Sequence, residues 1–179
     1  MGKSKEMTKI TGIIRLSLTL AIICTLSLGV WAGVRAQRAI SFNINCEAYI
    51  KRAADANTVD MAKTELAKAI QYAEENELTE GIVSIILKDP KNDIGYWYEN
   101  MKASYEELDY LPEDATSLEK TNVLMKLRES LTDDSGESGV KVTHPMGISI
   151  YPYNTIFFLW SIVSLVGAAV FWMVFLRYS

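Results

Sequence analysis

The chain has 179 residues, 49% of them apolar and 22% charged, with a formal net charge of −4. It is too polar for a bundle of many membrane spans and too apolar for an ordinary water-soluble domain, so its apolar residues must be concentrated. One histidine and two cysteines leave little for a zinc site or a disulfide scaffold, and the acidic balance argues against a nucleic-acid partner.

Residues 1–15 form a basic tail with Lys3, Lys5, Lys9 and Arg15. From Leu16 to Val34 nineteen residues pass without a charge, enough at about 1.5 Å rise per residue to cross a hydrocarbon core of about 30 Å. The basic start also fits a signal peptide. The apolar run, however, exceeds a usual signal core of about 7–15 residues, and no good pair of small residues follows it before Arg35 and Arg38. Residues 16–34 are therefore read as an uncleaved signal anchor. Glu6 stands where a myristoylation motif needs Ser or Thr.

The intervening residues 35–154 are expected to form one soluble, acidic, mainly helical domain. Phe42, Cys46, Tyr49, Ile50 and Ala53 recur at three- and four-residue steps and predict a helix from about Phe42 to Ala56, continuing from the first span. Asn57 is the expected cap of the next helix, which places Val59, Ala62, Leu66, Ile70 and Ala73 on one side and ends near Asn76. Thr79 to Leu87 is rich in β-branched residues between Gly81 and Pro90; strand is favoured there over a short buried helix. Asn92 or Asp93 would cap a third helix with Ile94, Trp97, Met101, Tyr105 and Leu108 inward, closing before Pro112. Thr116 and Glu119 are spaced as a capping box for a fourth, with Leu124, Leu127 and Leu131 inward as far as Thr132.

Asp133 to Gly139 reads as a solvated loop. Val140, Val142, Ile148 and Ile150 then alternate with polar residues around Pro145, the pattern of a broken or edge strand with Ile82 to Leu87 as its candidate partner. A second charge-free run, of twenty-two residues, extends from Thr155 to Leu176. Tyr151, Tyr153, Trp160, Trp172, Arg177 and Tyr178 flank it as residues that prefer the membrane interface. Residues 155–176 are read as a second span and 177–179 as a tail. The predicted fold class is thus mostly α: two transmembrane helices flanking a soluble helical bundle, with a small two-stranded β element.

Charge orients the chain. Val34 to Asn154 holds 13 of the 18 Lys and Arg and 21 of the 22 Asp and Glu, a balance of −8, and the ends sum to +4. Retention of basic residues on the cytoplasmic side favours both termini inside and the domain outside, although Arg35, Arg38, Lys51 and Arg52 oppose this at the far end of the first span.

Residues that carry chemistry are sparse. His144 has no second histidine or cysteine in metal-ligand spacing, and Cys46 at a helix-face position reads as a small core residue rather than a nucleophile. The adjacent pairs Glu74 with Glu75, Glu106 with Glu107 and Asp133 with Asp134 diverge by about 100° on a helix and suit a solvated face. Asp89 to Asp93 lacks the spacing of a calcium loop. No catalytic, cofactor-binding or metal residue is assigned, no cofactor is expected, and neither span holds an ionisable residue near its centre of the kind a transport path uses.

What stands out is aromatic. Tyr96, Trp97 and Tyr98 span about 200° of a helix, so at least one ring should be exposed. With Trp97 as a core anchor, Tyr96, Tyr98, Met101, Tyr105 and Tyr110 make the candidate interaction surface. In the spans, Gly29 and Gly33, and Ser164, Gly167 and Ala168, are candidate packing residues, for each other or for a larger assembly. No motif carries a named family. In outline the chain is similar to bacterial sensory-receptor ectodomains held between two spans, but only Arg177, Tyr178 and Ser179 follow the second, so a signal would have to pass laterally. The leading expectation is a doubly tethered binding or scaffolding protein that meets a protein partner or another copy. The alternative is an accessory subunit of a larger membrane complex, and a membrane-anchored enzyme is a distant third.

Overall fold

The computed structural model describes residues 2–85, 89–134 and 140–179. It is mostly helical, with one two-stranded antiparallel sheet. The chain divides into two units, residues 1–37 with 155–179, and residues 38–154.

The first unit comprises most of helix α1 (Gly2–Phe42) and nearly all of α6 (Asn154–Tyr178), both long and apolar enough to cross a membrane. Side-chain hydroxyls within α1 turn back onto the helix: Thr19 and Thr25 donate to the carbonyls of Arg15 and Ala21 at 2.9 and 2.8 Å, which satisfies polar groups without water. Large apolar side chains such as Leu16, Leu26, Val163 and Leu165 point outward along both helices.

In the second unit α1 passes into a π-helical turn, Asn43–Glu47, and then α2 (Ala48–Ala54). The wider turn keeps Phe42, Cys46 and Ile50 buried on one side. Helix α3 (Val59–Glu75) buries Ala62, Leu66, Ala69 and Ala73, and its alanines permit close packing. Its cap is Thr58 rather than Asn57. Thr58 has the extended backbone of a cap (φ −134°, ψ 151°), and its side chain accepts from Met61 N–H. Across the α2–α3 contact the buried Glu65 takes Arg52 at 3.1 Å, and within α3 it takes Lys68 at 3.0 Å.

The end of α3 is a Schellman motif. Leu78 N–H bonds Ala73 C=O at 2.8 Å and Glu77 N–H bonds Glu74 C=O at 3.2 Å, while Glu77 itself adopts φ 58°. Most such positions hold glycine, because a Cβ is unfavourable there.

Helix α4 (Ile94–Asp109) is capped by Asp93, whose side chain accepts from Tyr96 N–H, and it buries Ile94, Trp97, Tyr98, Met101 and Leu108. Helix α5 (Ser117–Leu131) opens with the full capping box of Thr116 and Glu119 and buries Leu127 and Leu131. The π-helical turn and helices α2 to α5 share one core, which Phe42 of α1 and Ile148 join.

The sheet departs from expectation. Strand β2 (Val140–Val142) pairs with β1 (Thr132–Asp134), with Thr132 opposite Val142, and among the described residues not with Ile82 to Ile85. A hairpin closes a much shorter loop than the long-range pairing would, at lower entropic cost. Residues 133–134, expected in a loop, are therefore strand, and α5 stops one residue short of Thr132. Ile82 instead forms a single antiparallel bridge with Asp93, flanked by Val83 N–H to Asn92 C=O and Ile94 N–H to Gly81 C=O. Residues 86–87 of that expected strand, and 135–139 of the expected loop, lie outside the described residues. Beyond Pro145 the alternation at Ile148 and Ile150 forms a 3₁₀ turn, Ile148–Ile150, entered through Gly147 at φ 86°.

Candidate functional site

The five aromatic and methionine residues expected on one surface are divided by α4. Asp93 fixes the start of the helix and hence the direction of every later side chain. Tyr96 points to solvent at 73% exposure and Tyr110, beyond the end of the helix, at 82%. Tyr98 at 7% and Met101 at 0% lie in the core, so they belong to no surface. Tyr98 is buried because its hydroxyl finds Glu74 Oε1 at 2.7 Å, which makes an inward tyrosine tolerable. Tyr105 is half-buried under the Lys63 ammonium, 5.8 Å from its ring centroid.

Tyr96 forms one wall of a largely apolar groove of about 630 Å³. Trp97 lines it too, as do Pro145 and Met146 from the turn after β2. Met146, 84% exposed, was not singled out by sequence; its neighbours Pro145 and Gly147 mark a turn, which is the one local hint that its side chain stands clear. Asp89, Asp93 and Asp133 are among the lining residues with one lysine, Lys91, so the lining carries net negative charge. Trp97 packs on Phe42 with ring centroids 6.3 Å apart. Its Nε1–H is buried without a hydrogen-bond partner among the described residues, at a cost on the order of 1–3 kcal/mol.

No protein-family model, curated protein or solved structure matches this chain.

The residues weighed for catalysis are held in structural contacts. His144 lies edge-on to Phe42 at 5.2 Å, with Nε2 3.7 Å from Glu47 Oε2. The Cys46 thiol faces the Ala69 carbonyl at 3.8 Å, and burial, then the Glu47 charge, push it up to about 12. A thiol held protonated is a poor nucleophile. Among the described residues no group of three His, Cys, Asp or Glu side chains gathers as a metal site.

In the first unit the candidate packing residues also divide. Ser164 is buried with its hydroxyl 2.9 Å from that of Ser27, Trp160 Nε1–H donates to Ser27 at 2.8 Å, and Trp31 Nε1–H donates to the Phe157 carbonyl at 2.9 Å. A Cβ on Gly167 would lie 2.7 Å from Cys24 Sγ, and Ala168 is buried nearby in sequence. Gly29 and Gly33, by contrast, have nothing within 4 Å of where a Cβ would stand. Contact between α1 and α6 therefore runs through Cys24, Ser27 and Trp31 on α1, residues the four-residue glycine spacing does not flag.

Proposed function

We propose that this is an integral membrane protein whose helices at residues 16–34 and 155–176 tether the domain of residues 35–154, and that the domain binds a protein partner through the Tyr96–Met146 groove. The membrane reading is supported by the apolar side chains that face outward along α1 and α6, a surface that hydrocarbon accommodates and water does not. In this reading both termini lie in the cytoplasm and the domain outside, because basic residues, here Lys3, Lys5, Lys9 and Arg15 before the first span, are retained on the cytoplasmic side.

The observation that carries the binding reading is that an exposed aromatic, Tyr96, and an exposed methionine, Met146, line the same apolar groove. Aromatic anchors give large contact area at low entropic cost, and methionine adapts to a partner's shape. The net negative charge of the lining fits a partner segment with basic residues beside its apolar ones.

The test is cross-linking in the native membrane, purification of the full chain in mild detergent and mass spectrometry of what accompanies it. Tyr96→Ala together with Met146→Ala should abolish recovery of the partner while the domain keeps its melting temperature. Recovery unchanged by both substitutions would refute the groove.

A second reading, an accessory subunit of a larger membrane complex, is favoured by the open space beside Gly29 and Gly33, a small-residue face that α6 leaves uncovered. It predicts a stoichiometric set of membrane subunits that Gly29→Leu dissociates.

A further inference from the structure

A second cavity in the domain, of about 380 Å³, has a different chemistry from the groove. Its lining includes Arg38, Tyr153, Tyr72, Tyr151, Glu75 and Glu77. The volume falls within the range of about 300–1,000 Å³ usual for small-molecule sites. Both signs of charge therefore line a single concavity.

The cationic side is Arg38, whose guanidinium lies 5.3 Å from the Tyr153 ring centroid. Stacking on an aromatic face directs a guanidinium, and its fork of donors matches phosphate oxygens.

The anionic side is the end of α3. Glu75 is the last residue of the helix, where the aligned peptide dipoles favour a cation, and Gln71 Nε2–H donates to its Oε1 at 2.8 Å. Glu77 follows in the left-handed conformation at φ 58°. Glycine would fill that position with less strain, so the carboxylate is kept there against the backbone preference. Tyr72 and Tyr151 add aromatic rings of the kind that attract an ammonium.

Position along the chain supplies the source of the ligand. Arg38 comes four residues after Val34 and Tyr153 two before Thr155, so on a helix the guanidinium side lies within about 6 Å of rise from the end of the first apolar run. That is the depth of lipid headgroups if residues 16–34 and 155–176 span the bilayer.

From this we infer that the cavity binds the headgroup of a zwitterionic phospholipid, with the phosphate at Arg38 and the ammonium at Glu77 and the C-terminal end of α3. This rests on the membrane reading above. An anionic lipid would meet Arg38 but be opposed by Glu75 and Glu77; a zwitterion matches both signs of charge in the lining.

The test uses full-length protein in mild detergent, titrated with dioctanoyl phosphatidylethanolamine, dioctanoyl phosphatidylglycerol or phosphoethanolamine and followed by native mass spectrometry. The ethanolamine lipid should bind about tenfold more tightly than the glycerol lipid, the size expected for one charge-assisted contact. Glu77→Gly should erase that preference while holding or raising the melting temperature, because glycine relieves the left-handed strain. Arg38→Gln should weaken both lipids. Equal binding of the two lipids, an unchanged preference in Glu77→Gly, or phosphoethanolamine binding as tightly as the lipid would overturn the inference. Alkaline carbonate extraction separates the two levels. Protein released by carbonate would remove the membrane reading and this inference with it, and protein retained in the membrane but without lipid preference would remove the headgroup site alone.

Discussion

The Tyr98 hydroxyl donates a 2.7 Å hydrogen bond to Glu74 Oε1, joining α4 to α3 at the edge of the core. Burial and then this bond push the phenol up to about 12. Tyr98→Phe should therefore cost about 1 kcal/mol at neutral pH, the usual net worth of such a bond. Below about pH 10 the folded and unfolded chains both hold the proton, and the difference between wild type and variant is constant. Above that the unfolded chain loses its proton first, so the wild-type advantage declines as pH rises toward 12. Thermal unfolding of the two proteins at several alkaline pH values measures it.

The glycines Gly29 on α1 and Gly167 on α6 should behave differently. Gly167→Leu drives a side chain onto Cys24 Sγ, already 2.7 Å from a bare Cβ, and should lower the melting temperature in detergent by several degrees. Gly29→Leu enters open space and should leave it unchanged. Equal effects would mean that Cys24 and Gly167 are not in contact.

Helix α5 depends on its cap. Thr116 accepts from Glu119 N–H, and the Glu119 carboxylate accepts from Thr116 N–H at 2.7 Å and from its hydroxyl at 2.8 Å, which holds that carboxyl below the usual range. Thr116→Ala should destabilise the domain by about 1 kcal/mol. A lowered folded pKa makes the Glu119 contribution complete above the unfolded carboxylate value of about 4.3 and lost as pH falls through the folded one. Acid unfolding of Glu119→Gln against wild type should then converge at low pH.

Orientation is open to a thiol experiment, because the domain's own cysteine is buried. With Cys24→Ala and Tyr110→Cys, a membrane-impermeant maleimide should label intact cells at residue 110, where the native side chain is 82% exposed. Without Tyr110→Cys, Cys46 should stay unlabelled until the domain is unfolded. Labelling at 110 only after the cells are opened would place the domain in the cytoplasm.

Much of the helical bundle is legible in the residues themselves. Ala62, Leu66 and Ala73, and Ile94, Trp97, Met101 and Leu108, are buried as their spacing implies, because a 3.6-residue repeat leaves a helix one apolar face to bury. The capping box of Thr116 and Glu119 forms because both partners are local. The candidate surface was only partly legible. Sequence requires that one of three adjacent rings be exposed, and Tyr96 is. It does not say that Glu74, on another helix, gives the Tyr98 hydroxyl a buried partner.

What the sequence determined by itself follows from interactions that reach only a few residues: the two long apolar helices, the periodicity of the core faces and the capping box at Thr116. What the tertiary structure decided involves groups distant in the chain. It chose a hairpin between Thr132–Asp134 and Val140–Val142 over a long-range partner for Val140–Val142, brought Met146 and Tyr96 into the lining of one groove, and lined a cavity with Arg38 and Glu77. Hydrogen-bond register, side-chain partners across elements and the shape of a cavity depend on how faces meet, and a local repeat carries no term for that.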